Sequence, residues 1–323
     1  MPRQARLDIP GALHHIMVRG INKSPIFEDD QDRARFVERL GEIVIEAKCS
    51  IYAWVLMSNH VHILFKSGNR DISTVMRRLL TWYAQYYNHR YNRSGHLFEN
   101  RYKSILCDED NYLLALVRYI HLNPIRAAVV KNMEELEEYA WSGHQAIIGK
   151  IGYDWMDRDR VLAEFGKTGR KSVEGYRRFI EEGMREGRNP TLTGGGLVRS
   201  VGGWSQVLAL RRQGDKGEAD ERILGSGGFV QTVMREAEER QLRQTRLRRR
   251  GKGIEEIIRE ESEKWRVNSE EVIKGSRRRQ VSRARVEIAV RCKEELGLSG
   301  AEIARHLGVN TTSINRSLGR RNT

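Results

Sequence analysis

The stretch IYAWVLMSNHVHILFK, residues 51–66, decides how the first half of the chain is read. Its first seven residues are apolar or aromatic, the composition of a buried strand. Ser58 and Asn59 break the run, and His60 to Lys66 forms a second strand, so the pair reads as an antiparallel hairpin with a short turn. Side chains alternate along a strand, which puts His60 and His62 on one face. Two neutral imidazoles side by side make half of a divalent-metal site.

Working outward, Leu13 to Arg19 reads as a strand ended by Gly20. Asp29 to Lys48 has helical periodicity, with Phe36, Val37, Leu40, Val44 and Ala47 in one apolar stripe. Ile72 to Tyr91 is helical again, Ser104 to Cys107 suits a short strand, and Asp110 to Ile120 is a helix that ends near Pro124. This order predicts an α+β fold, a ferredoxin-like or RRM-like antiparallel sheet with helices on one face. The helix over 110–120 puts Tyr112, Leu116, Tyr119 and Asn123 on one side. A phenol and an amide oxygen one turn apart can serve a metal. The same pattern is also that of core aromatics and of an Asn that ends a helix before Pro124.

The chain of 323 residues carries 57 Lys and Arg against 43 Asp and Glu, a formal charge of +14. Such an excess suits a polyanionic partner or solubility and says nothing of fold. The three cysteines are far apart and form no CxxC pair, so neither a disulfide framework nor a thiolate metal site is read. The opening MPRQARLD has no apolar run behind its arginines, and no stretch of eighteen apolar residues occurs. The expectation is a cytoplasmic, nucleoid-associated protein without a membrane partner.

Past about residue 132 the periodicity weakens. Residues 146–250 read as a basic helical linker, with glycine joints at 194–196 and 202–203 and a cationic run at 246–250. Order returns over 251–323. Ile254 to Trp265 and Val281 to Leu296 are amphipathic helices, Ser299 caps a short helix, Gly308 makes a turn, and Thr311 or Thr312 caps the last helix. Ala304, Gly308 and Ile314 stand at the small, turn and aliphatic positions of a helix-turn-helix. The final helix would then present Thr311, Thr312, Asn315 and Arg316 to a major groove. Arg277, Arg278, Arg279, Arg283 and Arg285 give an electrostatic footprint for duplex phosphates.

Four motifs carry a family resemblance: HHIMVRG (14–20), WVLMSNHVHIL (54–64), GHLFENRYKS (95–104) and RYIHLNPIRA (118–127). In order and spacing they resemble the single-tyrosine HUH transposases, in particular the REP-associated tyrosine transposase branch. The resemblance implies that His60 and His62 hold Mg²⁺ or Mn²⁺, with Asn123 where the family places a polar third ligand. It makes Tyr119 the nucleophile, with Tyr112 its competitor on the same helical face. It further implies cleavage and strand transfer of single-stranded hairpin DNA from repetitive palindromic elements, through a 5′-phosphotyrosine. Arg19, Arg101, Lys103 and Arg126 are then candidate phosphate contacts, and Tyr83, Tyr86, Tyr87 and Tyr91 candidate stacking surfaces for unpaired bases. Residues 254–319 resemble the DNA-binding domain of the bacterial replication initiator DnaA, most closely in GSRRRQVSRAR (275–285). The expected division is a transposase domain over 1–145, the linker over 146–250 and the duplex-binding domain over 251–323. Related enzymes work as dimers or as monomers, so both states stay open. The alternative function is a domesticated regulator that binds DNA through its C-terminal helices and no longer cleaves it.

Overall fold

The computed structural model describes residues 7, 9, 11–68, 72–166, 169–185, 222–236, 239 and 253–320. The glycine joints at 194–196 and 202–203 and the cationic run at 246–250 lie outside the described residues. The chain forms two compact units, Met1–Gln231 and Thr232–Thr323.

In the first unit, β1 (Leu13–Arg19) leads to α1 (Asp30–Ala47), the hairpin β2 (Ser50–Met57) and β3 (His60–Lys66), α2 (Ile72–Arg90), β4 (Lys103–Cys107) and α3 (Glu109–His121). Asp29 caps α1 by accepting a hydrogen bond from the Asp32 amide, and Asp30 and Asp32 complement the positive end of the helix. The hairpin closes over Ser58 and Asn59 with Met57 opposite His60. The sheet order is β2-β3-β1-β4-β5, with β1 antiparallel to both β3 and β4.

The α+β architecture and the first seven elements stand where the sequence puts them, but the helices do not keep to one face. Residues Val61 to Phe65 of β3 and Ile51 to Met57 of β2 are buried at every position. A strand buried at successive positions is covered on both sides. One face meets α3, where the Tyr119 ring lies 5.7 Å from that of His62. The other is reached from α1, because Gly41 abuts Trp155, which packs against Trp54, the strand neighbour of Val55 on the opposite face.

The short helices that follow, α4 (Asn123–Arg126), α5 (Met133–Glu138), α6 (His144–Ile147) and α7 (Arg158–Leu162), lead to α8 (Arg170–Arg185). Ile147, Val161, Leu162, Tyr176 and Ile180 belong to the same core as the sheet, so residues 146–166 and 169–185 fold with it although the sequence reads as linker there. Tyr176, fully buried, places its hydroxyl 2.7 Å from His121 Nδ1 and 2.8 Å from His144 Nδ1. Arg118 lies over the Phe179 ring at 4.5 Å. These contacts pack α8 against the helix that carries Tyr119. The sheet also gains an edge strand with no signal in the sequence: β5 (Ile223–Leu224) runs parallel to β4.

Over residues 253–320 of the second unit the described elements are helices: α9 (Ile254–Trp265), α10 (Ser269–Ile273), α11 (Arg279–Leu296), α12 (Gly300–His306) and α13 (Thr311–Arg320). Ile257, Val272, Val281, Ile288, Ile303, Leu307 and Ile314 make its core. Ser299 and Glu302 form a capping box at the start of α12. Gly308 turns the chain at a φ of +59°, and a Cβ there would lie 1.9 Å from the Ile273 carbonyl oxygen. Only glycine fits that corner. Among the described residues no helix is long and apolar enough to cross a membrane.

Candidate functional site

The site grows from strand register. Met17 pairs with His62 and Arg19 with His60, so both partners of each pair face α3. His15 shares that face two residues earlier. Its Nε2 lies 2.9 Å from Nδ1 of His62, and the two rings stack at 5.1 Å. The Tyr119 ring meets both edge-on, at 5.8 Å from His15 and 5.7 Å from His62. The His60 ring stands 5.2 Å from that of His62.

Hydrogen bonds set the presentation of His60. The Asn59 side-chain amide donates to the Lys23 carbonyl oxygen at 2.8 Å, which orients Asn59 Oδ1 as an acceptor. His60 Nδ1 donates to that oxygen at 2.7 Å, so its Nε2 keeps the lone pair. Burial, then the nearby Arg19 charge, lowers His60 to about 4. Burial holds His62 well below the usual imidazole range, with the neighbouring His15, His60 and Arg19 adding to the effect. Both rings are therefore neutral near pH 7, the form in which imidazole binds a metal.

Asn123 stands just past α3. Pro124 falls at the first positions of α4, where its missing N–H costs nothing. The Asn123 amide donates to the Tyr119 and Ile120 carbonyl oxygens at 2.9 and 3.3 Å, which leaves Oδ1 as its acceptor atom. Among the described residues no three His, Cys, Asp or Glu side chains cluster as a metal site. A metal here would take two imidazole nitrogens and an amide oxygen, a donor set that suits a divalent ion with open positions.

These groups line one cleft of about 700 Å³, with Met17, Arg19, His60, His62, Glu99, Asn100, Arg101, Lys103, Tyr119, Asn123 and Arg126 on its walls. All four cations singled out in the sequence, Arg19, Arg101, Lys103 and Arg126, are among them. Arg126 lies over the Tyr119 ring at 5.4 Å. Tyr112 packs against the core and is not among the lining residues. His15, Glu99 and Asn100 were not singled out as site residues, although each falls within a quoted motif.

The tyrosines of α2, and Tyr91 just past its end, are engaged within the fold. Tyr83 is fully buried and donates to the Ile26 carbonyl oxygen at 2.6 Å, while Tyr86 and Tyr91 donate to Asp32 at 3.1 and 2.9 Å. Tyr87 is buried and bonded to Glu28. The aromatic ladder secures α2 to the start of α1.

In the second unit Arg277, Arg279 and Arg283 are exposed around the start of α11, and Thr311, Thr312 and Arg316 are exposed on α13. The side chain of Asn315 lies outside the described residues. Arg278 is held by Glu271 at 2.9 and 2.8 Å. Arg285 departs from expectation. It is buried and donates to the Val272 and Ser276 carbonyl oxygens at 3.3 and 2.9 Å, joining α11 to the end of α10. A guanidinium so engaged stabilises the fold and is withdrawn from DNA.

Residues 10–123 match the family described as "Transposase IS200 like". A solved structure of a REP-associated tyrosine transposase bound to a REP hairpin aligns with 18% identity over 48% of this chain and 91% of that one, at a TM-score of 0.39. No curated protein matches the chain. The histidine pair, the tyrosine helix and most of the cleft fall within the stretch that matches this family.

Proposed function

We propose that the first unit cleaves and rejoins single-stranded DNA through a covalent 5′-phosphotyrosine at Tyr119, and that the second unit binds duplex DNA. One observation carries the first part: Tyr119 packs directly on His62 inside a cleft whose walls hold four cationic side chains. His60 Nε2, His62 Nε2 and Asn123 Oδ1 would hold Mg²⁺ or Mn²⁺, which when bound polarises the scissile phosphate as a Lewis acid. Arg19, Arg101 and Lys103 fit the role of seating the flanking phosphates. Arg126, over the Tyr119 ring at 5.4 Å, adds a fourth cation beside the nucleophile. Attack of Tyr119 Oη on phosphorus forms the O–P bond as the P–O3′ bond breaks; the phenolic proton is lost to water and the 3′-oxygen takes one up to leave as a free hydroxyl. The phosphoryl bond energy is conserved, so a 3′-hydroxyl can reverse the step and join strands.

The resemblance carried by the four motifs supports hairpins of repetitive palindromic elements as the substrate. Incubation of labelled single-stranded hairpin DNA with the protein and Mg²⁺ should yield a band of covalent adduct resistant to denaturant. Its absence over a range of hairpins, with duplex binding intact, would favour the regulator reading.

The duplex-binding part rests on the exposed Arg277, Arg279 and Arg283 beside the last helix pair. Replacing all three by alanine should weaken duplex binding and reduce the slope of log K against log salt by about one per arginine. An unchanged slope would remove this surface from the interface.

A further inference from the structure

We propose that His15 is a positioning residue that holds His62 in its Nδ1–H tautomer and thereby turns the Nε2 lone pair toward the cleft. The proposal rests on the metal reading above for its purpose, although the tautomer itself can be read without a metal. Two neutral imidazoles bonded through one nitrogen each share one proton between them. The bond joins His15 Nε2 to His62 Nδ1 at 2.9 Å. If His62 donates, its Nε2 is free to ligate; if His15 donates, His62 Nε2 carries a proton and ligates nothing. His60 shows which arrangement this cleft uses. There Asn59 Oδ1, an obligate acceptor, takes the Nδ1–H and leaves Nε2 bare. His15 is to His62 what Asn59 is to His60, an outer partner that fixes both tautomer and ring angle.

The place of His15 in the sheet adds a second constraint. It lies on β1 opposite Leu64, diagonal to His62, and is fully buried. Its ring stacks on His62 and meets the Tyr119 ring edge-on at 5.8 Å. One side chain therefore spaces the ligand against the nucleophile, and it does so from the centre of the sheet rather than from a loop.

The test is ¹⁵N spectroscopy of the histidine rings in the full chain without metal, beside Mn²⁺ binding followed by the electron-spin signal of the free ion. The wild type should show His62 protonated on Nδ1. His15→Leu should move it toward the Nε2–H form and weaken Mn²⁺ binding about ten- to a hundredfold. His15→Gln keeps an acceptor, so both the tautomer and most of the affinity should return, which a loss of packing alone would not allow. A wild-type His62 protonated on Nε2, or an unaltered tautomer in a folded His15→Leu chain, would overturn the proposal. If the tautomers behave as expected while His60→Ala and His62→Ala leave Mn²⁺ binding unchanged, the metal reading fails and the role of His15 toward His62 stands.

Discussion

Replacing Tyr119 by phenylalanine is expected to abolish the covalent protein–DNA adduct and to lower strand cleavage by at least about a thousandfold. The change removes one oxygen and little volume. The ring can keep its edge contacts with His15 and His62 and its place under Arg126, so folding and DNA binding should be almost unaffected. Tyr112→Phe is the matched control. It removes the same atom from the same helix one face-repeat earlier, at a side chain packed on the core and absent from the cleft lining. It should change cleavage by no more than about threefold, the size of a lost partly exposed hydrogen bond. The reverse outcome, adduct retained by Tyr119→Phe and lost by Tyr112→Phe, would move the nucleophile to Tyr112.

The second large effect is on stability against pH. Burial lowers His14 to about 4, His60 to about 4 and His144 to about 3, and holds His62 and His121 well below the usual range. Each is neutral in the fold and titrates near 6.5 once unfolded. Between the folded and unfolded values the unfolded chain binds more protons, so stability falls as pH falls. The contribution is fully present above about pH 6.5 and is lost progressively toward pH 4 and below. One such histidine is worth about 1.4 kcal/mol per pH unit in that window.

The pair around Tyr176 sharpens the point. Its hydroxyl serves both His121 and His144, and a proton added to either ring places a charge in a fully buried site. The second unit has only His306, which is exposed. Denaturant midpoints measured by tryptophan fluorescence should therefore fall steeply for the first unit between pH 6.5 and 4.5 and stay nearly level for the second. Equal pH dependence in both would show that the buried histidines are not what the acid transition titrates.

Much of this was legible from periodicity. The strands and helices up to His121 follow from apolar runs and apolar stripes, and His60 and His62 share a face because side chains alternate along a strand. What stayed hidden depends on pairing between distant segments. His15 can be placed beside His62 only once the register of β1 on β3 is known, because alternation alone does not say which strands are neighbours. The coverage of both sheet faces was written in the unbroken apolar run of β2, and a hairpin with one solvated face would have alternated. β5 is two residues long, too short to carry any period. Between Met133 and Leu162 the chain folds in helices of four to six residues, too short to show a stripe, and an anchor such as Trp155 is a single aromatic. Arg285 sits among surface arginines in sequence and turns inward because the Val272 carbonyl in α10 and the Ser276 carbonyl just past it receive it.

Tyr119, held against His62, is expected to become bonded to DNA. Mass spectrometry of the trapped adduct, after nuclease trimming and proteolysis, reads this directly. A nucleotide phosphate on the peptide that contains Tyr119, with a free 3′-hydroxyl on the released strand, is the expected result. Cleaved DNA with no modified tyrosine, or a modification on Tyr112, would contradict it.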